Sequence, residues 1–558
     1  MVEKIFNFMN KEFSGLHEAA FLLGSAAVAS QVLALIRDRI FAHEFGAGAA
    51  LDVYYASFRI PDFLFVSIAS FVSITVLIPF LIEKIGKSEK NGKEFLDNVF
   101  TVFFAVIVLV SIGVFFLVPK LSGMLFPGIE GVSRDSLIVL TRIMLLSPIL
   151  LGLSNLLGSI TQTARKFFVY ALSPVLYNIG IIIGILCFYP IWGLSGLAYG
   201  VVLGALFHLL VQVPTVLRFG LLPTFSRRIS FSEIKDVIYL SLPRTIGLSV
   251  NQVALLVLVS LASRMPEGSI AVFNFSFNLQ SVPLAIIGVS YSVAAFPTLA
   301  HLFSKNETEK FINNIVAAAR HIIFWSLPIL VLFIVLRAQI VRTILGSGAF
   351  SWSDTRLTAA ALALFAVSLV AQSLILLFVR GYYAAGNTKT PLVVNVVSSA
   401  FTIVFAYIFI HLFKTNLLFK NFMESLLRVG DNPGSVIIML PLAYSVGMIA
   451  NALVLFWFFK SDFKSMPSFL RRTFMHSFLG AVAMGFVAYL FLGLFAKIFD
   501  INTFLGIFLQ GFFSGVLGIV AGVMILKLMK NREIEEVGKA LHSKFWKARA
   551  IAPDKEEL

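Results

Sequence analysis

Charged side chains stand where a chain built only to meet lipid would carry none. In residues 31–79, QVLALIRDRIFAHEFGAGAALDVYYASFRIPDFLFVSIASFVSITVLIP, two hydrophobic runs meet around a GAGAA turn, with Arg37 and Asp38 in the first and Asp52 and Arg59 in the second. An ionised group near the bilayer centre costs about 2.5–3.5 kcal/mol on insertion scales, so it normally faces a bundle interior or a watery cavity. On spacing alone a second reading is equally open: the residues lie near the interface, where arginine snorkels and the Arg37/Asp38 and Asp52/Arg59 pairs partly neutralise each other. Arg142, Arg244 and Arg320 also fall within apolar runs. Arginine presents a planar fork of donors that matches phosphate. Pointing inward against only Asp38 and Asp52, these cations would give a positive interior suited to an anionic, phosphorylated substrate. For a lipid-linked one, the apolar tail would stay in the membrane while the polar head crosses.

Other chemistry finds no support. The eight histidines show no HExxH or other ligand spacing, and no GxxxxGK loop is present for nucleotide phosphates. The GAGAA turn at 46–50 looks like half a dinucleotide fingerprint, but it follows a hydrophobic helix rather than a strand, and a tight interhelical turn accounts for it better. Charges set singly on different runs do not make a carbonyl filter, which argues against an ion channel. Cys187 is the only cysteine, so an intramolecular disulfide and a thiolate cluster are excluded. The expectation is a protein that is not an enzyme and holds no metal or cofactor.

The elements that must carry these residues are membrane helices. The chain has 558 residues, 58% apolar and 13% charged, far from the roughly 45–50% and 25% of soluble domains. Its apolar runs are about 20 residues or longer, which fits helices rather than the short alternating strands of a barrel. Fourteen are expected: 18–42, 50–84, 96–121, 133–163, 167–188, 193–218, 235–262, 268–302, 312–342, 354–385, 388–413, 435–460, 470–497 and 502–529. No cleavable signal is evident at the start, so the first is retained. With the N-terminus inside, 28 of the 44 Lys and Arg residues fall on the inner side and 12 on the outer. The positive-inside rule therefore puts both termini in the cytoplasm. The same asymmetry explains the basic balance without invoking nucleic acid.

Punctuation suggests two related halves. Pro61 and Pro79 in the second expected span match Pro283 and Pro297 in the eighth, and Pro174/Asn178 match Pro391/Asn395 after small polar hairpins. Paired, proline-interrupted spans are a mark of repeated, alternating-access transporters. The expected organisation is an N-terminal lobe over 1–218, an amphipathic connector over 219–234 with Arg227 and Arg228 near headgroups, and a C-terminal lobe over 235–460. Two further helices over 461–529 and a charged, helical tail over 530–558 complete it. Gly247, Gly268 and Gly288 are candidate bending points, although close helix packing explains a membrane glycine as often.

The stretch VLALIRDRIFAHEFGAGAALDVYYASFRIPD resembles the signature of the MurJ/MviN lipid II flippases, within the superfamily of multidrug, oligosaccharidyl-lipid and polysaccharide exporters. SPVLYNIG at 173–180, LPRTIGLSVNQV at 242–253, residues 265–300, RAQIVRTILGSGAFSWSDT at 337–355 and RGYYAAGNTKTP at 380–391 extend the likeness in order. The resemblance implies two pseudosymmetric six-helix lobes around a cationic cavity and two last helices forming a groove for the lipid tail. It also implies movement of undecaprenyl-pyrophosphate-linked peptidoglycan precursor between leaflets of the bacterial cytoplasmic membrane. Arg37 and Asp38 then stand at the family's Arg-Asp pair and Asp52 at its second-helix acid. The chain departs from the pattern at Phe65 and Val66, where the family has twin arginines, at Ser70, where it has Glu, and at Asn278, where it has Arg. Arg59 and Arg244 are expected to supply the missing charge, with Asn251, Gln252, Asn274, Asn278 and Gln280 as a neutral hydrogen-bonding wall. Ordinary interhelical hydrogen bonding explains those amides equally well. The departures also leave open an exporter of another polyprenyl-linked glycan, or a scaffold that has kept the fold. Membrane lipids and a coupling ion are the further partners considered; the sequence names no ion and no oligomeric state.

Overall fold

The computed structural model describes residues 16–69, 71–72, 74–164, 166–227, 229–463 and 469–538. Among them no strand occurs and the chain is a succession of helices. These are α1 (Leu16–Phe45), α2 (Ala49–Ser57), α3 (Arg59–Leu64), α4 (Ile74–Lys87), α5 (Glu89–Leu125), α6 (Gly131–Met144), α7 (Leu146–Thr163), α8 (Phe167–Ile183), α9 (Tyr189–Trp192), α10 (Leu194–Leu210), α11 (Val213–Arg218) and α12 (Phe231–Ala262). The chain continues with α13 (Ser269–Leu284), α14 (Ser290–Ser304), α15 (Thr308–Val335), α16 (Arg337–Leu345), α17 (Trp352–Ala366), α18 (Leu369–Ala384), α19 (Lys389–Thr415), α20 (Leu417–Leu427), α21 (Met439–Phe463), α22 (Phe469–Phe495) and α23 (Phe504–Leu528). Among the described residues eleven helices are long and apolar enough to cross a membrane, or twelve with α17 and α18 as one broken span. These twelve coincide with the third to fourteenth expected spans. The first two expected spans fall on α1 and on the broken run α2 to α4.

Three π-helical segments interrupt the spans: Phe65–Ala69 after α3, Gly184–Phe188 after α8 and Ala285–Val289 after α13. The first and third follow Pro61 and Pro283, which lack the amide that would continue an α ladder. The expected connector is only partly helical. Residues 221–226 hold no helix and are pinned to α5, where Lys93 Nζ donates to Leu222 O (2.6 Å), Thr224 N to Asp97 Oδ1 (2.7 Å) and Ser226 N to Thr101 Oγ1 (2.8 Å). Arg228 and the tail beyond 538 lie outside the described residues; of the expected tail helix, 532–538 is present.

By packing, the chain parts into two compact units whose borders cut across the expected lobes. The first comprises 1–282, 344–365 and 387–451. Its core includes Leu77, Leu81, Phe95, Leu96, Phe103 and Ile160. Here α8 and the π segment that follows it approach α10 closely at glycines: a Cβ at Gly180 would come 2.3 Å from Gly204 Cα, and one at Gly184 2.5 Å from Gly200 Cα. Small residues at four-residue spacing let two backbones meet, and dispersion between them replaces the hydrophobic drive that lipid cannot supply. The second unit comprises 283–343, 366–386 and 452–558. In it α22 packs on α15 and α23, with Ile323, Leu327 and Ala481 buried together.

Candidate substrate site

The residues singled out in α1 to α3 and α13 meet in the first unit around a cavity of about 340 Å³. Arg37 and Asp38 are neighbours on α1, and successive helical side chains point some 100° apart. The guanidinium therefore folds back, with Nη2 2.7 Å and Nε 3.0 Å from Asp38 Oδ1. Its remaining arm, Nη1, donates to Asn178 Oδ1 on α8 at 3.1 Å. Asp38 is 2% exposed and its second oxygen accepts from Asn278 Nδ2 on α13 at 2.9 Å. A carboxylate so buried requires partners of this kind.

Arg59 stands at the first turn of α3. Its Nη2 donates to Asn274 Oδ1, while Asn274 Nδ2 is held by Ile270 O at 2.8 Å. Arg59 Nε is buried without a hydrogen-bond acceptor, so the cavity holds an unspent cationic donor. Asp62, one turn further on, lines the same cavity. Tyr54, Tyr55, Phe58 and Tyr177 give it an aromatic wall, with Tyr54 packed on Phe41 and Phe58 at ring distances of 4.7 and 5.0 Å. Gln252, Asn274 and Asn278 supply amides. The arrangement offers a phosphate the open Arg59 donor and, in competition with Asp38, the Arg37 guanidinium, beside the partly exposed rings of Phe58 and Tyr177.

Asp52 is placed elsewhere, at the end of the helices that bears the GAGAA turn. Its Oδ2 accepts from Gly268 N (2.7 Å) and its Oδ1 from Ala271 N (2.8 Å), the open amides at the start of α13. Glu267 Oε1 in turn accepts from Ala49 N (2.9 Å), the first residue of α2. Backbones press together around these caps. Gly268 has φ +85° and a Cβ there would sit 2.0 Å from Ala47 O; Gly46 has φ +60° and would meet Ala349 O at 2.6 Å. Ala349 N donates to His43 O at 2.8 Å and Arg39 Nη1 to Ile344 O at 3.1 Å. This end of the site is shut.

The other residues named from sequence scatter. Asn251 turns to α19, accepting from Ser399 Oγ at 3.3 Å, and Gln280 is buried. The side chain of Arg244, and Ser70, lie outside the described residues. Arg142 lies against Phe115, 4.6 Å above its ring and 3.2 Å from its carbonyl, at the lipid-facing side rather than the cavity. Arg320 binds Glu533 in the second unit. Phe65 and Val66 belong to the first π segment, where Phe65 packs against the core. Gly247 has only Leu392 Cδ1 near a would-be Cβ, at 3.7 Å, whereas one on Gly288, in the third π segment, would lie 3.0 Å from Ser373 Cα. The expected surplus of positive charge does not appear among the described residues, because Asp62 joins Asp38 against Arg37 and Arg59. Sequence reasoning passed over Asp62, although it sits within RIPD, and noted Asn178 only as repeated punctuation.

Comparison with known proteins bears on this arrangement. The family model described as "Lipid II flippase MurJ" matches residues 41–510. A "Probable lipid II flippase MurJ" from Thermotoga maritima is 28% identical over 522 residues, 93% of this chain and 97% of that protein. One from Bdellovibrio bacteriovorus is 28% identical over 417 residues, 70% of this chain and 77% of its own length. In fold, the chain is similar to a solved structure titled "Lipid II flippase MurJ, inward closed conformation", with TM-score 0.73, 23% identity and coverage of 93% and 99%. It is also similar to an inward-facing multidrug resistance MATE family transporter, with TM-score 0.63, 16% identity and coverage of 81% and 99%.

Proposed function

The chain belongs to the MurJ family of lipid II flippases, and on that premise we propose that it carries lipid II from the inner to the outer leaflet of the bacterial cytoplasmic membrane by alternating access. The observation that carries the reading is the joining of Arg37, Asp38, Asn178 and Asn278 with Arg59 and Asn274 around one cavity. The pyrophosphate would take the unspent Arg59 donor and compete with Asp38 for Arg37. The sugars would lie on Phe58 and Tyr177. With both termini in the cytoplasm, the Asp52/Glu267 end faces outward, and its closure corresponds to a state that receives substrate from inside. The two six-helix lobes would then rock about the cavity, with Gly247, Gly268 and Gly288 near the moving segments, while α22 and α23 flank the lipid tail.

No nucleotide motif is present, so an ion gradient, the membrane potential or precursor supply would drive the cycle. One charge moved through 100 mV is worth about 2.3 kcal/mol, enough to bias two such states. The test is flipping of tagged lipid II in proteoliposomes holding this protein alone, beside Arg37→Ala and Arg59→Ala. Transport by the parent that falls in both variants supports the reading. A folded parent without transport, or two variants that flip normally, would refute it.

A further inference from the structure

A second cavity, of about 190 Å³, lies in the second unit where α15, α22 and the turn after α23 converge. Four permanent cations line it: Arg320, Arg472, Lys530 and Arg532. The acid lining it is Glu533, and its charge is already engaged. Glu533 Oε1 accepts from Arg320 Nε (2.7 Å) and from Thr473 Oγ1 (2.8 Å), with side chains 3% exposed for Glu533 and 11% for Arg320. Arg532 shares Glu536 on the outer side of the same short helix, at 2.7 Å. Among the described residues no carboxylate lies within 4.0 Å of Arg472 or Lys530, although both face this cavity. Glu533 and Glu536 answer Arg320 and Arg532, so Arg472 and Lys530 leave two uncompensated like charges at one small polar space, which is electrostatically unfavourable unless an anion enters.

The surroundings say which anion. On α22, directly beyond Arg472, Phe474, Met475, Phe478 and Leu479 are 43–49% exposed, and Leu528 at the end of α23 is 78% exposed. In a membrane helix this is surface for acyl chains. The cavity thus sits where an apolar flank passes into the charged end of the bundle, which is the depth of lipid phosphates. Lys530 adopts φ +50° in closing α23, and the turn brings Lys530 and Arg532 to the rim beside Arg472. We infer that this cavity binds the phosphate of an anionic phospholipid headgroup, whose acyl chains lie along α22 and α23. It shares no lining residue with the Arg37/Arg59 cavity. The lipid would tie α15, α22 and the segment after α23 together, adding to the Arg320–Glu533 pair.

Native mass spectrometry of the full chain, titrated with phosphatidylglycerol, phosphatidylcholine or inorganic phosphate, tests this. The variant is Arg472→Ala/Lys530→Ala, both exposed residues outside the proposed substrate cavity, with Arg472→Lys/Lys530→Arg as the charge-preserving control. The expected result is a tight phosphatidylglycerol adduct that phosphatidylcholine does not match. It weakens roughly 10- to 30-fold in the alanine variant, the loss expected for two surface cations, and is retained in the control. Equal binding in parent and alanine variant would overturn the site, and equal binding of phosphatidylcholine would overturn its chemistry. Displacement of the lipid by millimolar phosphate would overturn the lipid assignment in favour of a soluble phosphate.

Discussion

Asp52 and Glu267 cap each other's helices. Asp52, on α2, accepts the Gly268 and Ala271 amides that open α13, and Glu267, just before α13, accepts the Ala49 amide that opens α2. Each carboxylate serves orphan donors at the positive end of the other's helix. The exchange joins segments more than 200 residues apart in sequence, and it is built of polar contacts that water can replace when they part. That is the character of a gate rather than of a core.

Replacing Asp52 with Asn should loosen this closed end. An N-cap is worth about 1 kcal/mol, so the closed population should fall by roughly fivefold relative to the open one. A cysteine placed at Ala47 should then react faster with a membrane-impermeant maleimide applied from outside. Unchanged labelling would show that the backbone contacts at Gly46 and Gly268 hold the end shut without the cap.

Arg59→Lys separates charge from geometry. Lysine keeps the cation but cannot present a fork to a pyrophosphate. Losing one charge-assisted bond of about 1.5–3 kcal/mol should weaken headgroup binding by about 10- to 100-fold while leaving thermal stability close to the parent. Binding of a soluble headgroup analogue, followed by calorimetry, checks it; equal affinity would remove Arg59 from the site.

Gly247→Ala and Gly268→Ala should differ in sign. At Gly247 the added methyl meets ordinary space, and alanine favours a helix interior by about 0.5–1 kcal/mol. At Gly268 it meets the Ala47 carbonyl at 2.0 Å on a left-handed backbone, and a lower melting temperature follows. A stabilised Gly247→Ala protein that flips more slowly would identify Gly247 as a bending point; unchanged flipping would leave it a packing glycine.

Burial pushes the Glu533 carboxyl up, but the Arg320 guanidinium and the Thr473 hydroxyl outweigh it and hold the group below its ordinary value. A carboxylate depressed in the folded state stabilises the protein fully above its unfolded pKa, about 4.3, and loses that contribution as pH falls through the lower folded value. Glu533→Gln should cost about 1–3 kcal/mol near neutrality. The gap in melting temperature between parent and variant should close below about pH 4. A gap that persists there would mean that the pair is not the source of the stability.

The helical architecture was legible because a membrane imposes it: twelve spans fall where length and hydropathy place them, and Arg37, Asp38 and Arg59 announce themselves by charge alone. What the chain hid depends on partners far along it. Asp52 reads as a binding acid, yet its role is set by two amides in α13 that carry no side-chain signature. Asn251 and Gln252 are adjacent, but only one can face the cavity, and helix rotation decides which. Asp62 lies in the same expected span as Asp52 and Arg59, and what brings it to the cavity is the course of α3, which charge and spacing alone do not give. Two of the π segments follow a proline, Pro61 and Pro283, but the one at Gly184–Phe188 follows none.

The glycine seam between α8 and α10 sets what can move. With Gly180 and Gly184 lying on Gly204 and Gly200, and Gly204 set against the carbonyl and ring of Tyr177, the backbones meet with little slack to absorb a shift. Parting the pair would expose bare backbone that no rotamer change could cover. The two helices therefore form a single strut, and Asn178, two residues before Gly180, rides on it. Any tilt of that strut changes the reach from the Asn178 amide to Arg37, so the headgroup cavity senses the position of a helix, α10, that supplies none of its wall.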